Sequence, residues 1–341
     1  MRKAWQSTAL ASLLALASTF PALAQDKITL KFAHLFPASH YLWEQGGKPY
    51  AEAITAATKG QVQFEVYPAG QLGKDYVALL KSGVADMVIL VPTYAPNSFP
   101  MSSVVDLPGL YATACEGTGK FWSIARADGP LNEAEYKPQG IHVLWTSVLD
   151  PYRIMTTGKP VTSLDDLAGL KIRANAGAMD KTVRALGGVS VRTSSPELYD
   201  ALTRGTVDAA LYPYSGILQF KLEKILRHAV EGVRLGSGSI MFAMSERAWK
   251  ALPENAKAAM NEAALPAQKH LCEYQDVEGE RIRQKIVAED GFKTTSLSPE
   301  QAALWEGKVG TVAAEWAEER DKMGKAGTAM LKAFKGAGGS Q

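Results

Sequence analysis

Arginine set among aromatic and small residues is the chemistry this sequence offers most plainly. In "DLAGLKIRANAG", residues 166–177, a loop leads into a short strand. Leu170, Ile172 and Ala174 take one face of it, Lys171 and Arg173 the other. Ala174, Asn175, Ala176 and Gly177 follow at once, and such small residues leave room for something to approach. A guanidinium is a planar fork that matches a carboxylate bidentately. Taken alone, Arg173 reads first as a charge on a solvated sheet face, because arginines are mostly exposed. A second arginine changes the balance: Tyr152-Arg153 begins another strand, and "DAALYPYSG" places Tyr212 and Tyr214 around Pro213. Aromatic rings bring a large contact area. Their recurrence beside arginine at strand ends, where open α/β sheets bind ligands, points to a pocket.

Other site chemistry is sparse. The sequence has no G-x-S-x-G elbow, no G-x-x-x-x-G-K-[ST] phosphate loop, no H-E-x-x-H and no C-x-x-C. "GTGK", residues 117–120, reads as the edge of a helix. Of five scattered histidines, His34 and His40 stand six apart without an acidic or cysteine partner at ligand spacing, so a structural or pocket-lining role is expected and no metal. A Ser-His-Asp triad assembles from distant positions, and nothing here argues specifically for one. No catalytic residue is assigned, no cofactor is expected, and the protein reads as a binder rather than an enzyme.

The elements that would hold such a pocket follow from the periodicity. "KITLKFAH" alternates through Ile28, Leu30 and Phe32 and ends at His34. A helical stretch through Leu42, Tyr50, Ile54 and Ala57 closes at Lys59-Gly60. A strand through Val62, Phe64 and Val66, a helix around Val77 to Lys81 and the strand "DMVILV" complete a β-α-β-α-β run, which predicts a mostly parallel α/β sheet. The second half repeats the style. Strands are expected near His142 to Thr146, Tyr152 to Thr156, Leu170 to Ala174 and Ala209 to Tyr212. Helices are expected from about Ala178 to Leu186 and from Pro196 to Arg204, the latter capped by Ser195. In the last third, Met260, Ala264, Ala267, Leu271 and Tyr274 predict one long amphipathic helix that Pro266 should kink. A further helix after Ser298-Pro299 carries Trp305, Val309, Val312 and Trp316.

The chain has 341 residues, which favours two lobes over one core. Residues 1–24 read as a secretory signal peptide: Arg2 and Lys3, an apolar run, then Ala22-Leu23-Ala24 for cleavage. No later apolar run is long enough to span a membrane. Of 37 basic and 35 acidic residues, removal of Arg2 and Lys3 leaves an even balance, giving no reason to expect nucleic acid or an anionic membrane. Cys115 and Cys272 are the two cysteines. In an exported protein one bridge between them is slightly favoured over two buried thiols.

"LKFAHLFPASH", "VYPAGQLGK", "SGVADMVI", "FPMSSVVDLPGLY", "RIMTTGKPVTSLDDLAGLKIR", "PELYDALTRGTVDAALYP" and "LPENAKAAM" together resemble, in order, the substrate-binding receptors of TRAP (tripartite ATP-independent periplasmic) transporters, the DctP-like family. The resemblance implies a two-lobe α/β periplasmic binding protein fold with hinge strands and a long C-terminal helix spanning both lobes. Residues 25–150 and 239–278 would form lobe I, residues 151–238 and 279–341 lobe II. It implies a periplasmic receptor, expected as a monomer, that closes on an organic acid and hands it to membrane permease subunits. Arg173 matches the family's carboxylate clamp, and Arg153 a second pocket arginine of sialic-acid members. Tyr212 stands where those members place a ligand-binding asparagine. Leu211-Tyr212 replaces the Glu-Trp of metal-using α-keto acid receptors. Phe36, Tyr94 and Trp145 fall at strand ends that would face the cleft. If Tyr152, Tyr212, Tyr214 and Trp145 line it, the ligand is an aromatic or hydroxy monocarboxylate; if Arg153 faces it, a C4-dicarboxylate is favoured. A ligand-presenting partner of a signalling receptor is the other reading of the same fold, and a secreted hydrolase the reading from another class.

Overall fold

The computed structural model describes residues 27–338, so the expected signal peptide lies outside the described residues. Two sheets organise the chain. The first runs β2 (Val62–Tyr67), β1 (Ile28–His34), β3 (Met87–Leu90), β10 (Ser239–Ser245), β4 (Ile141–Val148). The second runs β11 (Lys293–Ser296), β9 (His228–Glu231), β5 (Arg153–Thr156), β8 (Ala209–Tyr212), β6 (Lys171–Ala174), β7 (Val189–Arg192). Parallel pairing joins β1 to β2 and β3, and β6 to β7 and β8. The antiparallel strands β10 and β5 make each sheet mixed rather than mostly parallel.

Local chemistry sets the ends of the helices between the strands. Asp75 caps the helix Tyr76–Ser82 by accepting from the Ala78 N–H at 3.0 Å, and Gly83 closes it in the left-handed region at φ 74°. Thr113 caps Ala114–Ala125, the helix that contains "GTGK". The helix Ser195–Thr203 begins one residue earlier than its sequence suggests, with Ser194 at the cap position, which places Ser195 inside the first turn.

The chain crosses between the sheets at β4–β5, returns at β9–β10, and crosses again along the helix Glu254–Glu289. At 36 residues that helix is about 54 Å long at 1.5 Å per residue. Met260, Ala264 and Leu271 join the core against the first sheet, and Ile282 and Ile286 join Met155, Ala210 and Ala229 of the second. Pro266 sits inside it. The helix expected after Ser298 is two, Pro299–Val309 and Val312–Lys322, parted at Gly310-Thr311. The last helix, Gly327–Gly336, packs on the Ala114–Ala125 helix, with Phe334 edge-on to Tyr111 at 6.3 Å. The end of the chain therefore packs against both the Ala114–Ala125 helix and the Val312–Lys322 helix. Trp316 ties the same region to lobe I by donating to Ser103 Oγ at 2.8 Å. Cys115 and Cys272 are disulfide-bonded.

The first two crossovers are tied together. The Leu149 and Tyr152 N–H groups donate to the carbonyls of Gly238 and Gly236 at 2.9 and 3.0 Å, and Asp150 accepts from the Tyr214 N–H at 3.1 Å. Burial lifts the Asp150 carboxyl to about 6. Its folded pKa thus lies above the unfolded value of about 3.9, so the folded chain binds the proton more tightly and stability falls as pH rises from about 4 to about 6. Asp150→Asn keeps an acceptor oxygen without the charge. The variant is expected to gain roughly 2–3 kcal/mol on wild type between pH 4 and pH 7 in paired urea titrations. Parallel pH profiles would remove this role from Asp150.

Candidate functional site

The loops that leave the carboxyl ends of β1, β3, β6, β7 and β8 meet between the sheets, where ligands of open α/β sheets sit. They enclose a narrow cavity of about 20 Å³. Phe36, His40, Tyr41, Val91 and Tyr94 come from lobe I, with Ser239 and Ile240 at the start of β10. Tyr152, Asn175, Ser195, Tyr212 and Phe220 come from lobe II.

Arg173 is fully buried on β6 rather than lying on a solvated face. Its Nε donates to the Thr193 carbonyl at 2.8 Å and its Nη1 to the Leu211 carbonyl at 3.2 Å. Nη2 reaches the cavity wall, 3.3 Å from Tyr94 Oη and 3.4 Å from Ser195 Oγ. Its guanidinium carbon lies 5.3 Å from the centre of the Tyr212 ring. Every one of these partners is neutral, and among the described residues no carboxylate pairs with Arg173. A buried cation without a counter-charge is costly, and an entering anion would supply one.

Tyr94 joins the lobes at this point. Its hydroxyl accepts from the Ser195 N–H at 2.9 Å and donates to Ser195 Oγ at 3.1 Å. Tyr41 of lobe I likewise meets Ser215 of lobe II, oxygen to oxygen at 3.1 Å. Gly238 makes room for Tyr152, since a Cβ there would come within 2.4 Å of the Tyr152 hydroxyl. Beside Ser239 lies Asp106, fully buried and, among the described residues, without a cation partner. Burial raises its pKa well above the ordinary carboxylate range.

Of the residues singled out in the sequence, Phe36, Tyr94, Tyr152, Asn175 and Tyr212 line the cavity and Arg173 adjoins it. Four others stand elsewhere. Arg153 pairs across the sheet with Tyr212, but its guanidinium turns the other way, to Glu231 on β9. Its Nε lies 2.6 Å from Glu231 Oε2. Tyr214 donates to the other oxygen of Glu231 at 2.5 Å, so the same acid draws both residues away from the cavity lining. Trp145 stacks on Phe242 at 3.5 Å between ring centres, within the lobe I core. His34 stacks on Trp43 at 5.3 Å, and burial lowers its pKa to about 4. Among the described residues, no group of three His, Cys, Asp or Glu side chains converges as metal ligands would.

Ser195 and Ser239 are the polar wall residues least visible in the sequence, whereas His40, expected in a structural or pocket-lining role, lines the cavity. The Ser194-Ser195-Pro196 run allows either serine to cap the helix, and only the fold frees Ser195 to face Tyr94 and Arg173.

The family described as "Bacterial extracellular solute-binding protein, family 7", DctP, matches residues 32–320. A C4-dicarboxylate-binding periplasmic protein DctP from Rhodobacter capsulatus is 27% identical over 314 residues, 90% of this chain and 92% of its own. A solute-binding protein from Albidiferax ferrireducens is 26% identical over 311 residues, 85% of this chain and 87% of its own. Among solved structures, a TRAP solute-binding protein from Rhodoferax ferrireducens, crystallised with copurified benzoate, is 25% identical. It superposes with a TM-score of 0.83 over 91% of this chain and 97% of that one. The chain belongs to the extracellular solute-binding proteins of family 7, the receptors that capture solutes for TRAP transporters.

Proposed function

We propose that this receptor captures a monocarboxylate with a ring or apolar body in the periplasm and, as a monomer without catalytic activity, presents it to the permease subunits of a TRAP transporter. One observation carries the reading: Arg173 is buried at the cavity with neutral partners alone, while Arg153 is held by Glu231. The ligand carboxylate would take the fork of Arg173 with the Tyr94 and Ser195 hydroxyls beside it. The rest of the ligand would meet Phe36, Tyr152, Tyr212 and Phe220, where burying apolar area contributes roughly 25 cal/mol per Å². A second carboxylate would find no cation on that wall among the described residues and would be poorly solvated. The Rhodoferax relative with benzoate agrees with a ring acid. The Rhodobacter relative named for C4-dicarboxylates supplies the competing expectation.

A competition screen decides between them. Benzoate-like and branched hydroxy acids are expected to bind more tightly than succinate and malate; tighter dicarboxylate binding overturns the reading. Binding draws the lobes together because the ligand touches both, so X-ray scattering should give a smaller radius of gyration on ligand addition. Affinity should be the same with a chelator present, and loss of binding in chelator would mean that a metal holds the acid.

A further inference from the structure

Besides Arg173 the cavity has polar groups of a different kind around it. His40, in the loop after β1, is 2% exposed and lies in a ring of aromatic neighbours. Phe36 is 4.5 Å away, Tyr41 4.7 Å and Phe220 of lobe II 5.4 Å, between ring centres. The Leu42 N–H donates to His40 Nδ1 at 3.1 Å. Nδ1 is therefore the acceptor, and the ring proton sits on Nε2. Burial, reinforced by His34, lowers the pKa to about 3, so the imidazole is neutral across physiological pH. It is a donor without a charge, and among the described residues no protein acceptor takes the Nε2 proton.

Two more polar atoms of residues lining the same cavity, one from each lobe, lack partners. Among the described residues, Asn175 Oδ1 and Ser239 Oγ are buried and have no hydrogen-bond partner. Ser239 lies beside the Asp106 carboxyl. Buried polar groups are nearly always paired. A donor and two unpaired oxygens around one ligand cavity therefore mark where a polar ligand atom belongs.

We propose that His40, with Asn175 and Ser239, forms a second recognition pole that reads a hydroxyl on the body of the ligand, so that the receptor selects hydroxylated monocarboxylates over their unsubstituted parents. The inference rests on the reading that Arg173 holds the ligand carboxylate. The hydroxyl accepts from His40 Nε2 and donates to the Asn175 or Ser239 oxygen, which uses both of its capacities at once. Because the pole is neutral, it rewards a hydroxyl without stabilising a second carboxylate. A site built to hydrogen-bond a hydroxyl discriminates strongly against the analogue that lacks it, because its polar groups are then left unpaired.

The test is calorimetry on wild type, His40→Phe and His40→Gln with matched probes: benzoate against its three monohydroxy isomers, and phenylacetate against mandelate. Wild type is expected to prefer at least one hydroxylated member by tenfold or more. His40→Phe should collapse that ratio to about one, and His40→Gln, which keeps a donor, should restore part of it. The two variants guard against a folding artefact, since a misfolded protein would not return the ratio in His40→Gln. A parent acid that binds wild type with no hydroxylated member preferred, or a ratio that His40→Phe leaves unchanged, overturns this pole and leaves the monocarboxylate reading standing. Dicarboxylates outcompeting every monocarboxylate overturns both.

Discussion

Arg173→Ala is expected to weaken ligand binding by more than about thirtyfold. Removing one partner of a buried charge pair costs roughly 2–5 kcal/mol, and 1.4 kcal/mol is a factor of ten. The size of the effect follows from where the guanidinium lies. It is fully buried, anchored through Nε to the Thr193 carbonyl, and its Nη2 faces Tyr94 and Ser195. Arg173→Lys should fall between wild type and Arg173→Ala, since an ammonium keeps the charge and loses the fork. Calorimetry on the folded variants reads both, and an unchanged affinity in Arg173→Ala would remove this residue from the site.

The second large effect concerns stability. The Cys115–Cys272 bridge joins the Ala114–Ala125 helix to the long helix across 157 residues of sequence. In the chain-entropy description a loop of that size stabilises by up to about 5 kcal/mol. The same two helices are also held by Asp276, which accepts from the Ala114 and Cys115 N–H groups at 2.6 and 3.1 Å, so the folded geometry survives without the bridge. The Cys115→Ser, Cys272→Ser double variant should lose about 3–5 kcal/mol of unfolding free energy in urea. Its ligand affinity should stay close to wild type, because neither cysteine lines the cavity. A loss below about 1 kcal/mol would contradict the chain-entropy account of this bridge.

β1 was legible because its alternation is local, and the short buried strands β6 and β8 because turn residues bound them closely, Gly169 and Gly177 for one, Gly205 and Pro213 for the other. β1, β6 and β8 fall where Ile28 to His34, Leu170 to Ala174 and Ala209 to Tyr212 suggest. β10 was not legible. Ser239–Ser245 is buried at every position, so no period marks it, and its place between β3 and β4 depends on partners far away in sequence. The same limit governs the site. Arg173 and Arg153 look alike as residues at strand ends. What separates them is Glu231, 78 positions from Arg153, which neutralises one arginine while the other has no acid beside it. Trp145 and His34 stand where their strands are buried on both sides, and a position near a strand end there does not say which side faces the cleft. The disulfide was open for the same reason, since separation along the chain carries no information about distance in the fold.

A crystal structure of the protein with the tightest-binding acid from the competition screen tests the central claim most directly. The account predicts the ligand between the two sheets, its carboxylate oxygens about 2.7–3.2 Å from the guanidinium nitrogens of Arg173. Its body should lie against Tyr152 and Tyr212. A carboxylate held by Arg153, or by a metal ion, with Arg173 still bonded only to its neutral protein partners, would contradict it.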